Sequence, residues 1–312
     1  MISFVQLCVM AKAQPIPSVE EKIPFICTFS KNSDVKWGDD DFVQTFFFVI
    51  PESYKKPVYV RVFDPDLGGM YDENHGPFDS KTKFSVYGGL KAHSDPDAKS
   101  PDPKGNFKSG TLLATKSYGN DKSFDNKWVA LGPFNPIDGE LQKDIGGRVF
   151  KVVIEGMEGD DGNLYRLFLS SAADDNKEIE GGNGFAYEYA FRLFDTKGSV
   201  SHLYPFVTEK VTAVKIKIFD YDSEGMIRVV SVAKKGDVCR LAEEGLWIES
   251  MHRVNKEEIN TSLDIQFIKQ HEVKNNNIVV CISNQYGEFL PFYTSPIGGI
   301  PKYQFKIGVK AE

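Results

Sequence analysis

The sequence predicts an all-β chain built from two tandem antiparallel β-sandwich domains of jelly-roll type. Three observations predict it. Short runs rich in Val, Ile, Phe and Tyr recur along the chain, each bounded by Gly, Pro, Asn or Asp. The 312 residues include 24 Phe and 13 Tyr, while the Leu- and Ala-rich periodic runs of amphipathic helices are missing, so propensity favours strands. The two halves also share a pattern. Val60-Arg61-Val62-Phe63-Asp64-Pro65-Asp66-Leu67-Gly68-Gly69-Met70 matches Ile216-Lys217-Ile218-Phe219-Asp220-Tyr221-Asp222-Ser223-Glu224-Gly225-Met226 as F-D-x-D-x-x-G-M after an alternating strand. A weaker match sets Val152-Val153 and Gly162 to Tyr165 against Val279-Val280 and Gly287 to Leu290, and the two in order point to duplication of one fold.

The elements follow in chain order. Residues 1–13 read as the remnant of a secretory signal peptide, an apolar run closed by Ala11-Lys12-Ala13, which predicts a secreted, periplasmic or cell-surface protein. A first domain, 14–172, carries strands at 23–29, 42–50, 58–63, 83–87, 111–117, 127–131, 149–155 and 164–170. Its 93–107 stretch is a loop, because repeated prolines cannot supply ladder donors. Residues 173–184 are polar and glycine-rich and read as a linker. A second domain, 185–312, carries strands at 186–194, 201–207, 213–219, 227–232, 246–251, 263–268, 278–283, 289–294 and 303–309, with helical turns at 256–259 and 238–244.

A net charge of −7 argues against a nucleic-acid partner, which needs a basic stripe to displace counterions. No run reaches the roughly 20 apolar residues of a transmembrane helix. Past the leader, Cys27, Cys239 and Cys281 form neither a C-x-x-C site nor an even set; a Cys239–Cys281 disulfide and three buried thiols both remain open. His75, His93, His202, His252 and His271 are scattered, without H-E-x-x-H, and no G-x-S-x-G elbow or P-loop occurs.

Strands 42–50 and 58–63 flank a short connection and read as a hairpin pairing Ile50 with Val58. That pairing would bring Asp39, Asp40 and Asp41 beside Asp64 and Asp66, with Asp72, Glu73 and Asp79 in the next loop. Close carboxylates repel and need a cation, and oxygen ligands from loops suit Ca²⁺. The predicted metal ligands are therefore Asp40, Asp41, Asp64, Asp66, Asp72 and Glu73, the alternative being a solvated acidic rim. Asp64 would continue the inward face of Val58, Val60 and Val62 unless the strand bends. Asp220, Asp222 and Glu224 repeat the motif, but the strand expected opposite them, near Ser201, lacks acids, which predicts one site. Asp160 to Asn163 reads as an ordinary acidic turn. Trp37, Tyr71 and Trp128 lie in or near loops, where aromatics stack on sugar rings, although core packing would use them as well.

The strand Val58-Tyr59-Val60-Arg61-Val62-Phe63 ending in Asp64-Pro65-Asp66, with Asn163-Leu164-Tyr165-Arg166-Leu167, resembles secreted bacterial modules of the pre-peptidase C-terminal and proprotein-convertase P-domain kind. The resemblance covers about a third of the chain and implies a non-catalytic appendage. The proline-rich loop and the expanded 68–80 segment depart from both patterns, so no calcium ligand or protease partner carries over from it. Together these readings predict an extracytoplasmic binding or adhesion protein recognising a glycan or another envelope protein. A carbohydrate-active enzyme would instead need two carboxylates facing a cleft, and a structural subunit of a surface assembly would use exposed strand edges.

Overall fold

A computed structural model describes residues 15–100, 106–222 and 225–304; the segment 1–13 expected to be a signal-peptide remnant and nearly all of the strand expected at 303–309 lie outside them. The described chain is all-β. Its strands are β1 (Pro15–Ile16), β2 (Phe25–Phe29), β3 (Val43–Pro51), β4 (Val58–Phe63), β5 (Lys81–Gly88), β6 (Thr111–Tyr118), β7 (Trp128–Phe134), β8 (Glu140–Gln142), β9 (Gly147–Glu158), β10 (Gly162–Ser170) and β11 (Asn183–Ala186). They continue as β12 (Glu188–Arg192), β13 (Val200–Leu203), β14 (Phe206–Val207), β15 (Ala213–Phe219), β16 (Gly225–Val230), β17 (Asp237–Val238), β18 (Trp247–Arg253), β19 (Thr261–Ser262), β20 (Asp264–Lys269), β21 (Asn277–Asn284) and β22 (Phe292–Tyr293). A 3₁₀ turn spans Lys256–Glu258, as expected, whereas 238–244 contains no helix. No described helix is long and apolar enough to cross a membrane.

The sheet order is a palindrome. One nine-stranded sheet runs β18-β15-β21-β12-β2-β10-β4-β7, with β1 added on β10. From its centre, β2-β10-β4-β7 and β12-β21-β15-β18 repeat the same order outward. The facing layers repeat as well: β3-β9-β5-β6 belongs to a second sheet, and β13-β20-β16-β17 forms a third. Each half therefore follows one jelly-roll winding. The halves meet where β12 pairs with β2, Phe191 opposite Ile26 and Arg192 opposite Phe25. β11 begins at Asn183, inside the stretch read as a linker, and pairs with β3 of the first half, Asn183 opposite Val49 and Gly184 opposite Phe48. The topology also corrects the weaker sequence match: the counterpart of β9 is β20, not β21, which holds Val279-Val280.

Alternation explains why these strands lie as they do. Val58, Val60 and Val62 of β4 are fully buried against Phe46, Phe48 and Ile50 of β3, and Val214, Ile216 and Ile218 of β15 do the same for the second half. One apolar cluster runs through both halves. At roughly 25 cal/mol per Å² of buried apolar surface, such side chains contribute the bulk of the driving force for folding.

The expected β3–β4 hairpin does not form. β3 pairs with β9 and β11, and β4 pairs with β10 and β7. Both strands present an apolar face to the same core from opposite sides, and the chain after Pro51 crosses the roughly 10 Å between the packed sheets.

Candidate functional site

Asp64 is where β4 stops. Its φ of 55° takes the chain out of the strand. Its N–H donates to the Lys127 carbonyl (2.9 Å), and its Oδ1 accepts from the Asn126 N–H (2.8 Å). This left-handed turn, which Asp and Asn tolerate better than most residues, replaces the inward continuation of the Val58, Val60, Val62 face. It brings Asp64 and Asp66 against Asp125, and carboxylate oxygens of all three lie within 4.8 Å of one another. Asp66 is 1% exposed, yet neither of its oxygens meets a donor, and Oδ1 of Asp125 is likewise buried and unserved. Asn163 beside them donates Nδ2 to the Pro65 carbonyl (3.0 Å) and leaves its Oδ1 buried without a partner. Burial first, and then the facing Asp125, push the Asp66 carboxyl up to about 7.

The rest of the predicted ligand set divides. Asp72 is close enough for its charge to be felt with those of Asp64 and Asp66, but its oxygens accept from the N–H groups of Gly68 and Leu164, both at 2.7 Å. Glu73 is drawn away altogether. It pairs with the Arg192 guanidinium and accepts from Asn277 Nδ2 (3.1 Å), with His75 Nε2 at 3.1 Å. Gly38, at φ 86°, lets the first half pass against this knot, since a Cβ there would stand 2.2 Å from the Asn277 carbonyl oxygen. Asp40 and Asp41 sit with Asp39 on a separate rim. There Asp39 accepts from the Phe29 N–H (2.8 Å) and Asp41 from that of Val43 (2.7 Å). A second acidic group, Asp79, Asp160 and Asp161, is internally satisfied at its buried member: Asp161 accepts from the His75 N–H (3.0 Å) and Ser80 Oγ (2.8 Å).

The first corner recurs in the second half. Asp220 leaves β15 at φ 59° and accepts from the Gly245 N–H (2.5 Å), with Asp222 and Glu244 adding to the burial that pushes its carboxyl up to about 6. The neighbour of the motif is therefore the turn entering β18, not the region of Ser201. Asp125 escaped the sequence reading, though Asp125-Asn126-Lys127-Trp128 against Glu244-Gly245-Leu246-Trp247 is a second copy of the same corner.

The aromatic residues converge on the outer face of the first half. Across neighbouring strands, Trp128 stands opposite Phe63 and Phe63 opposite Arg166. The Arg166 guanidinium lies over the rings of Phe63 (5.6 Å) and Phe25 (4.5 Å), and Tyr71 packs on Phe25 at 4.6 Å. Trp37 joins the same apolar cluster and stacks on His75 at 3.3 Å. This row opens on a groove of about 750 Å³ whose lining includes Lys22, Trp128, Arg166, Phe168 and the exposed Phe194. The matching face of the second half differs in charge: Asp40, Glu188, Lys217, Trp247 and Glu249 line a cavity of about 440 Å³ over the buried thiol of Cys281. Cys27, Cys239 and Cys281 are all free and buried.

No protein-family model and no curated protein matches this sequence. Among solved structures, the cryo-EM structure of the T=3 Penaeus vannamei nodavirus aligns over 94% of this chain and 91% of its own, at 8% identity and a TM-score of 0.21. The structure of the Macrobrachium rosenbergii nodavirus aligns over 89% and 88%, at 6% identity and a TM-score of 0.16. Overlap this slight assigns neither fold nor function.

Proposed function

We propose that the protein is an extracytoplasmic, non-catalytic glycan-binding protein, and that the outer face of its first half takes a sugar chain bearing carboxylates. The observation that carries this reading is the row Trp128–Phe63–Arg166–Phe25 beside the groove. Trp128, which lines the groove, offers an aromatic ring of the kind that stacks on the apolar faces of sugars, and the Arg166 guanidinium, held over the rings of Phe25 and Phe63, offers a fixed fork to a carboxylate. The groove's volume lies within the usual range for small-ligand sites, and its described lining residues include Lys22 and Arg166 but no Asp or Glu, so an anion would meet positive charge and no like charge among them.

The test is titration with oligogalacturonate and with a neutral oligosaccharide of equal length, followed by calorimetry and tryptophan fluorescence. Preferential binding of the acidic chain, weakened at least tenfold by Trp128→Ala, is the expected result. Equal indifference to both sugars would overturn it. Release of new reducing ends, lost in Glu188→Gln, would replace it with a hydrolase working from the acidic cavity of the second half.

A further inference from the structure

We infer that Asp64, Asp66 and Asp125 form a binding site for one calcium ion that clamps the end of β4 to the turn leading into Trp128. The site stands apart from the glycan reading and would hold without it. Two donors bound to one Ca²⁺ at 2.3–2.6 Å cannot be more than about 5.2 Å apart, and the three carboxylates meet that limit as they stand. The stronger sign is Asp66. A side chain with 1% exposure and two oxygens lacking any donor is costly to bury unless something positive meets it. The closest candidate partner is another carboxylate, Asp125, which has nothing to donate when ionised. Asn163 Oδ1 adds a further buried, unserved oxygen beside the same turn.

Calcium fits better than magnesium, because Mg²⁺ keeps several waters, whereas Asp64 and Asp66 are buried and would meet the ion directly. The chemistry does not repeat in the second half. Asp220 occupies the equivalent place, but no buried, unserved carboxylate oxygen accompanies it among the described residues, and Asp222 is only half-buried. The second corner is thus a built-in control within the same chain.

The experiment uses the full chain, stripped with a chelator, melted in added CaCl2 or MgCl2 and titrated by calorimetry. At a hundredfold excess over Kd, calcium should raise Tm by roughly 5 °C or more, and magnesium by clearly less. Asp66→Asn should abolish the heat of binding and the Tm shift while folding at least as well as the parent in chelator, since it removes a buried charge. Asp222→Asn should leave both responses intact. If Asp66→Asn does not fold, Asp125→Asn serves for the same comparison. A parent protein that ignores calcium, or a response lost equally in Asp222→Asn, would overturn the inference.

Discussion

Asp64 and Asp220 occupy the same place in two copies of one corner. Each leaves its strand in the left-handed region, each accepts from a backbone N–H two residues before a tryptophan, and each is preceded by a phenylalanine opposite that tryptophan. Even the ring pairs agree, with Phe63–Trp128 centroids at 5.5 Å and Phe219–Trp247 at 5.4 Å. With the palindromic sheet order, this makes the chain two windings of one jelly roll joined edge to edge.

If that corner is a structural device in both halves, Asn should replace Asp there and Ala should not. Asn accepts the same backbone hydrogen bond and tolerates positive φ; Ala does neither. Asp220→Ala should cost about 1–3 kcal/mol in urea unfolding and Asp220→Asn less than about 1. Asp64 should rank the same way in chelator. Equal losses for Ala and Asn at Asp220 would show that the cap is unimportant.

The junction between halves rests on a buried charge pair. Arg192, 8% exposed, donates to Glu73, Asn277 and Asn275, so residues from both halves share one network. Removing Glu73 leaves a buried guanidinium short of its countercharge, and Glu73→Ala should cost about 3–5 kcal/mol. The double variant with Arg192→Ala should lose less than the sum of the single losses, measured as a double-mutant cycle. Strict additivity would mean that the pair is not coupled.

Glu21 predicts a pH dependence. It is 1% exposed, accepts from the Ser18 N–H (2.6 Å), and is pushed by burial up to about 8. Its unfolded value is near 4.3, so the folded state holds a proton that the unfolded chain gives up. The resulting stability is fully present below about pH 4.3 and is lost as the pH rises to about 8. Glu21→Gln keeps a neutral side chain at every pH and should remove this slope, gaining up to about 4 kcal/mol over the parent at pH 8.5 relative to pH 5. Identical urea midpoints for parent and variant at both pH values would refute it.

How much of this was legible depended on whether the information was local. β4 and β15 fall where alternation put them, at 58–63 and 213–219, because period-two burial is written in consecutive residues. Partner choice is not written there. The inward faces of β3 and β4 fit a hairpin or an arch equally well, and the arch separates Asp40 and Asp41 from Asp64 and Asp66. Asp125 was hidden for the same reason, as its partners lie far upstream. The outer row was readable in part: Arg61 and Phe63 alternate with buried valines, and Arg166 and Phe168 flank Leu167, so a second face of aromatic and cationic residues stood in the sequence.

Arg166 provides the sharpest test of ligand chemistry. Its guanidinium is oriented by its Nε donating to the Pro24 carbonyl (2.8 Å) and by the rings of Phe25 and Phe63, an arrangement that a lysine cannot reproduce. Arg166→Met retains the stem against those rings and removes the charge, so stability should change by less than about 1.5 kcal/mol. Affinity for an acidic oligosaccharide should fall about tenfold or more, since a charged hydrogen bond contributes about 1.5–3 kcal/mol, while any weak affinity for a neutral sugar of the same length should stay where it was. Added salt should weaken binding to the parent more than to the variant, which keeps only Lys22 as a cation among the described residues of the groove lining. Parallel losses for acidic and neutral sugars would mean that Arg166 shapes the surface without reading charge, and the ligand class would then have to be sought among neutral chains stacking on Trp128.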